Sequence, residues 1–263
     1  MSYHLFHLQA GGTSVIVDAS LGGMPAILHW GPDLGQLGQD ELDSLSTAAK
    51  PQRVSGGIDH PARLTLLPQE AQGWQLTPGI SGHRSGTGFS PDFRVTDIAG
   101  SGRNLTVAAT DPHASLSLIS RLEVTASGLF KQQHTVTNTG DGAYELGSLA
   151  LFFPLPAAAT EVLDTTGRHL KERSPQRRDL TVGAHVRESR RGRPGADASL
   201  LMAAGTKAFG FRAGRVHAVH LAWSGNHRLS AERSITAQNF LTASELLLPG
   251  EVRLQPGESY STP

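Results

Sequence analysis

The sequence predicts an all-β fold, a large antiparallel sandwich with one or two short helices. Hydrophobic side chains recur at every second position in many short segments, which is the period of a strand with one buried face. Turn signals separate these segments at intervals of about 8–12 residues, a spacing typical of sandwiches and barrels. The chain has 263 residues, and its 30 glycines and 15 prolines supply those turns.

The clearest predicted strand pair lies near the middle of the chain. Residues 114–126 place Leu116 and Leu118 on the same face, with serines between them. Gly128 interrupts this pattern, and residues 129–137 then resume it, which predicts a hairpin. The other predicted strands cover residues 3–9, 13–18, 25–30, 62–67, 92–98, 103–110, 145–153, 198–204, 207–213, 215–223, 233–240 and 245–254.

One segment has helical rather than strand periodicity. In residues 38–48, Leu42 and Leu45 are three positions apart, and Asp40 is a candidate N-cap. The chain shows no fixed-period repeat and no low-complexity linker. We therefore expect one large β domain over residues 1–263.

Charge and cysteine content argue against several classes of protein. Lys+Arg and Asp+Glu both number 23, so the formal net charge is zero, unlike that of a dedicated polyanion binder. The chain has no cysteine for a disulfide or a thiolate metal site. No apolar run approaches the ~18 residues of a membrane helix, and residues 1–9 lack the features of a secretory signal. We expect a cytoplasmic protein that binds neither nucleic acid nor membrane.

The sharpest charge anomaly is the segment 167–193, called the Arg tract below. It has nine Lys/Arg and three acids, a local charge of +6. Nucleic-acid binding would also favour aromatic side chains that stack on bases, and the tract has none. Arginine suits fixed bidentate pairs, so we expect ion pairs within the chain or between subunits. The acids between Asp33 and Asp43 are candidate partners.

Twelve histidines raise the question of a metal site. His217 and His220 are three positions apart, but residues i and i+3 of a strand point to opposite faces and cannot both bind one ion. No His-x-His pair places two imidazoles on one strand face. We therefore predict no metal and no cofactor.

Nucleophile and phosphate motifs are also missing. The sequence has no Gly-x-Ser-x-Gly elbow, and its glycine-rich segments lack the strand-to-helix context of a phosphate site. A pair of glycosidase carboxylates is set by tertiary distance and cannot be identified from spacing. The residues by themselves therefore indicate a β-rich module that supports or binds something.

All three tryptophans lie next to, or two residues from, a glycine at predicted strand ends, at Trp30, Trp74 and Trp223. A sugar presents C–H faces that stack on an indole, while Asn, His and Arg bind its hydroxyls. Core packing is the alternative role for each ring. The three junctions favour a carbohydrate-facing rim.

Seven segments together resemble the N-terminal β-supersandwich domain of glycoside hydrolase family 36 α-galactosidases, especially actinobacterial ones. The resemblance runs over nearly the whole chain and implies a galactose mutarotase-like supersandwich. The segments are LHWGPDLG (28–35), LLPQEAQGW (66–74), PGISGHRSGTGFSPDF (78–93), GRHLKERSPQR (167–177), RESRRGR (187–193), HLAWSGNH (220–227) and ELLLPGEVRLQPGESYSTP (245–263).

In that family the supersandwich precedes a (β/α)8 barrel, whose two aspartates carry out retaining hydrolysis of terminal α-galactosides. The resemblance implies that this chain is a non-catalytic N-terminal domain, with the barrel expected after Pro263. It then contributes no catalytic residue. Its implied partners are the barrel, an α-galactoside in the parent active site and further copies in a homo-oligomer. The alternative is an independent carbohydrate-binding module.

The resemblance also implies candidate site residues. In some members a loop equivalent to residues 68–91 reaches an active site, where the aspartate of a Gly-Asp-Phe-Arg motif touches galactose. The matching stretch here is Gly82-His83-Arg84, so His83 stands near the position of that aspartate. The candidate substrate-binding residues are Trp74, His83, Arg84, Trp223 and Asn226. The candidate barrel or subunit contacts are Arg173, Arg177, Arg190 and Arg191.

Overall fold

The computed structural model describes residues 5–21, 23–53, 55–57, 59 and 61–263. These residues form one α-helix, one 3-10 turn and nineteen strands, which confirms the predicted all-β fold. The helix α1 is Gln39–Ala48 and the turn is Glu70–Gln72. The strands are β1 (Leu5–Ala10), β2 (Thr13–Asp18), β3 (Ala26–Pro32), β4 (Ile80–His83), β5 (Arg94–Ser101), β6 (Asn104–Asp111), β7 (Leu116–Val124), β8 (Phe130–Asn138), β9 (Tyr144–Leu149), β10 (Leu151–Leu155), β11 (Glu161–Arg168), β12 (Lys171–Asp179), β13 (Gly183–Ser189), β14 (Leu201–Gly205), β15 (Val216–His220), β16 (His227–Arg233), β17 (Asn239–Glu245), β18 (Val252–Leu254) and β19 (Ser259–Ser261).

The chain divides into two compact units. Unit 1 comprises Met1–Leu146 and Val252–Ser261, and unit 2 comprises Gly147–Glu251 and Thr262–Pro263. Unit 1 is built on a sheet of order β1-β2-β3 and a five-stranded sheet of order β19-β8-β7-β6-β5. Strands β1 and β2 lie against β7. Every second residue of β7 from Leu116 to Val124 is buried, as the alternating pattern predicts.

Unit 2 contains two four-stranded sheets, of order β10-β17-β16-β13 and β12-β11-β14-β15. Strands β14 and β15 lie against β16 and β17. Strands β16 and β17 are buried along most of their length, so they form the core of this unit. Strand β12 is an exposed edge and contains Pro175. Proline has no N–H to donate to a neighbouring strand, so it is tolerated on an edge strand, where that position can face solvent.

The helix begins one residue later than predicted, and its N-cap differs. Gly38, not Asp40, is the N-cap residue. The carboxylate of Glu41 accepts a hydrogen bond from the Gly38 N–H at 2.8 Å. Asp40 lies in the first turn, where a negative charge stabilises the positive end of the helix dipole.

Three predicted strands are wrong. Residues 62–67 lie outside the strands, with bends at Leu66 and Leu67, and the Leu66 N–H donates to the Pro25 carbonyl at 2.7 Å. Residues 207–213 form turns. Residues 233–240 cover the turn between β16 and β17, where Ala237 donates to the Ser234 carbonyl. Buried leucines cluster in residues 62–67 without a strand partner, whereas Phe211 and Ile235 in the other two segments are exposed.

Among the described residues, no helix is both long enough and apolar enough to cross a bilayer.

Candidate functional site

The segment that resembles the family's substrate loop ends in a tight turn. Strand β4 leads into it, and Arg84 and Thr87 exchange backbone hydrogen bonds of 2.7 and 3.0 Å. The two residues between them, Ser85 and Gly86, have φ of 49° and 84°. Two consecutive left-handed residues define a type I′ turn, which suits a two-residue hairpin loop. The turn fixes the backbone next to His83 and so sets the direction of the His83 side chain.

His83 is exposed at this turn and has a defined hydrogen-bonding state. Its Nδ1 accepts the Gly86 N–H at 3.3 Å. The neutral ring therefore carries its proton on Nε2. That atom lies 3.9 Å from the carboxylate of Glu145, and both side chains are partly open to solvent. A donor beside an acceptor in this arrangement suits a ligand that presents neighbouring hydroxyls.

The side chain of Arg84 points into unit 1 and donates hydrogen bonds to backbone and side-chain oxygens. Its guanidinium donates to the carbonyls of Gly142 and Ala114 and to Asn138 Oδ1, the last at 2.8 Å. It also lies 5.8 Å from the ring centroid of Tyr144. Burial raises the pKa of the Tyr144 hydroxyl to about 12, so the phenol stays neutral beside the cation. Arg84 thus anchors the turn that carries His83.

Replacing Arg84 by alanine is expected to lower the unfolding free energy of unit 1 by about 2 kcal/mol, because it leaves oxygens that bonded to a cation without their donor. Faster amide exchange in residues 80–88 should accompany the loss, measured by hydrogen exchange. Arg121→Ala, at an exposed position on β7, is the matched control. Equal exchange in the two variants would contradict the anchoring role.

Trp74 is buried, with 6% of its surface exposed. Its indole N–H donates to the Thr77 carbonyl at 2.8 Å. The ring is therefore part of the unit 1 core, and it also lines a pocket that is open to solvent. Its predicted contact with a sugar stays a prediction.

The Arg tract forms ion pairs within unit 2. Arg177 binds Glu161 at 2.6 Å, donates to the Phe209 carbonyl and lies 4.4 Å from the Phe209 ring centroid. Hydrogen bonds from the Ala208 N–H and from Arg177 hold the pKa of Glu161 below its usual value. The acidic partner of this arginine is thus in the same unit and is not one of the acids between Asp33 and Asp43.

The loop after β13 shows the same pairing at its surface. Arg190 binds Glu188 at 2.9 Å, and Arg191 lies 3.2 Å from Asp197. All these guanidinium groups are more than half exposed, so each pair contributes little to stability.

Arg173 differs from the other candidate contacts. It is exposed and makes no salt bridge among the residues that the structure describes. Its φ of 51° is unfavourable for a non-glycine residue by about 1–3 kcal/mol. It borders a groove of about 580 Å³ that His220, Thr165 and Leu201 also line.

Trp223 and Asn226 lie in the turn between β15 and β16. Trp223 is 38% exposed. Its ring passes so close to Gly225 that a β-carbon there would lie 2.4 Å from the indole nitrogen. Asn226 Oδ1 accepts the Gly192 N–H at 2.7 Å, which ties this turn to the end of the Arg tract. The second contact places Asn226 beside Gly192, the residue after Arg191, in unit 2.

One charged cluster was not anticipated from the sequence. Asp164 on β11 is 2% exposed and accepts hydrogen bonds from His185 Nε2 at 2.5 Å and from Arg187 Nε at 2.7 Å, both on β13. The residues come from different sheets of unit 2. Burial alone would raise the pKa of Asp164, but the bonds from Arg187 and His185 outweigh it and hold the pKa below its usual value. The cluster joins the two sheets.

Metal ligands do not converge in the part of the chain that the structure describes. No group of three or more His, Asp or Glu side chains there is arranged to hold an ion.

Comparisons with known proteins place this fold in a family. Residues 23–255 match the model described as the glycosyl hydrolase family 36 N-terminal domain. An α-galactosidase of Escherichia coli is 35% identical over 237 residues, which make up 90% of this chain and 33% of that protein.

Solved structures agree in fold. A family 36 α-galactosidase from Geobacillus stearothermophilus superposes with a TM-score of 0.81 at 20% identity, over 98% of this chain and 39% of its own. An α-galactosidase from Lactobacillus brevis gives 0.78 at 17% identity, over 98% of this chain and 38% of its own.

This chain spans about a third of the length of the curated relative and about two fifths of the solved ones. The structural likeness confirms the predicted sandwich fold, and the family model extends over most of the chain, including parts of both units. The chain belongs to the glycosyl hydrolase family 36 N-terminal domain family.

Proposed function

We propose that this chain is the non-catalytic N-terminal domain of an α-galactosidase that removes terminal α-galactosides with retention of configuration. The observation that carries the proposal is the 35% identity to the Escherichia coli α-galactosidase over 90% of this chain. That relative is about three times as long as the matched region, which supports a further catalytic domain, a (β/α)8 barrel, in the same polypeptide. A variant of the Geobacillus enzyme has been solved with raffinose, an α-galactoside-containing sugar.

Two of the buried acids, Asp164 and Glu161, are unsuited to the role of a catalytic acid. A glycosidase needs a carboxyl group with a raised pKa to protonate the leaving group. The pKa values of Asp164 and Glu161 are instead lowered by their cationic and backbone partners. Both carboxylates therefore stay ionised at neutral pH and cannot act as that acid.

In this proposal the hairpin tip shapes the substrate entrance. His83 Nε2 and the Glu145 carboxylate form a donor–acceptor pair that is open to solvent. Arg84 holds the turn from beneath, and its predicted contact with a sugar stays a prediction. Trp223 and Asn226 form a second candidate sugar contact, in unit 2.

In this proposal the catalytic barrel or a second subunit binds at the Arg tract. Arg173 has no acidic partner among the described residues, and the exposed pairs of Arg190 and Arg191 can exchange partners at low cost. Arg177, with its bond to Glu161 and its contact with Phe209, supports the same surface from within. We place the whole enzyme in the cytoplasm as a homo-oligomer.

Hydrolysis assays test the proposal. The whole gene product should hydrolyse an aryl α-galactoside, and should not hydrolyse the matching α-glucoside or β-galactoside at a comparable rate. The 263-residue chain produced alone should show no turnover. Robust hydrolysis by the chain alone, or a whole gene product that does not act on α-galactosides, would overturn the proposal.

A further inference from the structure

Unit 1 also contains a three-stranded sheet of order β18-β9-β4, and three polar side chains lie side by side across it. Glu145 on the middle strand β9 pairs directly with Arg253 on β18. On the other side of Glu145, its carboxylate lies 3.9 Å from His83 Nε2 on β4. His83, Glu145 and Arg253, called the polar row below, therefore occupy neighbouring positions on three adjacent strands.

The burial of the neighbouring residues shows that Glu145 and Arg253 face solvent. Tyr144 and Leu254, one position away on each strand, also pair with each other, and both are buried. Successive side chains of a strand point to opposite faces, so Glu145 and Arg253 point outward together.

His83 joins the same outward face from β4. A β-carbon on Gly82 would lie 2.6 Å from a carbon of the Tyr144 ring, so Gly82 faces the buried side of the sheet. His83 is the next residue and is exposed, so its side chain points outward beside Glu145.

The Arg253 side chain is exposed and forms no ion pair or hydrogen bond in the described part of the chain. The nearest acids along the sequence are used in local turns. Glu251 accepts the Leu248 N–H at 2.7 Å. Glu258 accepts the Gln255 N–H at 2.8 Å. A guanidinium carries five N–H donors, so Arg253 is available to bind the oxygens of a ligand.

One buried amide holds both ends of the polar row. Asn138 is fully buried at the end of β8. Its Oδ1 accepts a hydrogen bond from Arg84 at 2.8 Å, and its Nδ2 donates to the Leu254 carbonyl at 2.9 Å. Arg84 follows His83 in the chain, and Leu254 follows Arg253. The same side chain thus fixes the backbone next to both outer members of the row.

The remaining hydrogen-bonding positions of the Asn138 amide are also used. Its Oδ1 accepts the Gly140 N–H at 3.0 Å, and its Nδ2 donates to the Gly142 carbonyl at 2.8 Å. With two donors and two acceptor positions occupied, the amide has one orientation. The polar row is therefore held in place before a ligand arrives, which lowers the entropy cost of binding.

The length and chemistry of the polar row suit an extended ligand that carries several hydroxyls. Adjacent strands lie about 4.7–4.9 Å apart, so the row spans about 10 Å. It presents a donor, an acceptor and a donor in turn, and a hydroxyl can both donate and accept. In a retaining glycosidase the terminal sugar lies between two carboxyl groups of the catalytic site. A row on an open sheet face suits the sugar units that follow the terminal one.

We propose that Arg253 is a specificity-determining residue of the α-galactosidase and that, with His83 and Glu145, it binds the sugar units beyond the terminal galactose of an oligosaccharide. The inference rests on the proposed function. It extends that function from a substrate entrance to a preference for oligosaccharides over aryl α-galactosides.

Steady-state kinetics of the whole gene product on raffinose and on an aryl α-galactoside test this role. Arg253→Met removes the donors and keeps an unbranched side chain. It should raise KM for raffinose about five-fold with kcat unchanged, because binding outside the reacting bond is lost. KM for the aryl substrate should stay within about two-fold, since an aryl group offers no sugar hydroxyls. Arg253→Lys keeps a cationic donor and should recover part of the loss.

Arg121→Met, at an exposed position on β7, is the matched control and should leave both KM values unchanged. An unchanged KM for raffinose in Arg253→Met, or an equal rise in KM for both substrates, would overturn the role of Arg253 while leaving the proposed function intact. An unmodified gene product that hydrolyses neither substrate would overturn the proposed function and this inference with it.

Discussion

Replacing Asp164 by alanine is expected to lower the unfolding free energy of unit 2 by about 3–5 kcal/mol. The carboxylate is buried and holds His185 and Arg187 across two sheets. Its removal leaves two mostly buried cationic or polar groups without an acceptor, and a void at the junction of the sheets. Urea unfolding at pH 7 measures the loss.

The exposed pair of Asp179 with Lys207 provides the control, since both side chains are largely in water. Asp179→Ala should cost less than about 1 kcal/mol. A loss for Asp164→Ala no greater than that for Asp179→Ala would contradict the structural role of the cluster. Asp164→Asn keeps the shape and loses the charge, so its loss should fall between the two.

The contribution of Asp164 to the unfolding free energy depends on pH. Because its pKa is lower in the folded chain than in the unfolded chain, ionised Asp164 stabilises the fold above the unfolded value of about 3.9. This stabilisation is lost as the pH falls through the lower, folded pKa. The decrease in unfolding free energy at acid pH should be smaller in Asp164→Asn than in the unmodified chain.

Acidification from pH 7 to pH 4 is expected to cost unit 1 about 3 kcal/mol through His134 alone. This histidine is fully buried in β8, and its burial lowers its pKa to about 4. Its Nε2 lies 3.1 Å from the Leu66 carbonyl and its Nδ1 lies 2.8 Å from the Ser120 hydroxyl, so both atoms of the neutral ring are paired.

The pKa of His134 is about 4 in the folded chain and about 6.5 in the unfolded chain. Between about pH 6.5 and pH 4 the unfolded chain binds a proton that the folded chain does not, so stability falls as the pH falls through that window. His134→Gln should remove this dependence, whereas exchanging the exposed His113 for glutamine should keep it. Unfolding free energies measured at several pH values decide the point. A wild-type curve that is flat from pH 6.5 to pH 4 would contradict the burial of a neutral imidazole.

The strands that the hydrophobic alternation predicted most clearly have a buried face and a solvent face. Strands β7 and β8 alternate in burial along their whole length, so their hydrophobic side chains recur with period two. Strands β4, β11, β12, β13, β16 and β19 and most of β17 were not predicted. Strands β16 and β17 are buried along most of their length, so their burial does not alternate. Strand β12 is an edge strand that is exposed or half-exposed throughout, and β11 and β13 carry charged side chains that pair across sheets. Neither situation produces a hydrophobic alternation.

The candidate site was only partly accessible from the sequence. The motif resemblance indicated His83 and Arg84 as neighbours, but it did not distinguish an exposed side chain from an anchor. That difference arises from Asn138, Ala114 and Gly142, which lie 30 to 58 residues away from Arg84. The same limit applies to Trp74, whose burial depends on packing that no local pattern reports.

We propose that this domain supports a catalytic domain of the same α-galactosidase. Complementation tests it most directly: the part of the gene product outside residues 1–263 is produced separately and assayed on an aryl α-galactoside with and without the purified chain. We predict that this part alone loses most of its turnover and that adding the chain restores it. Full turnover without the chain, unchanged by its addition, would contradict the claim.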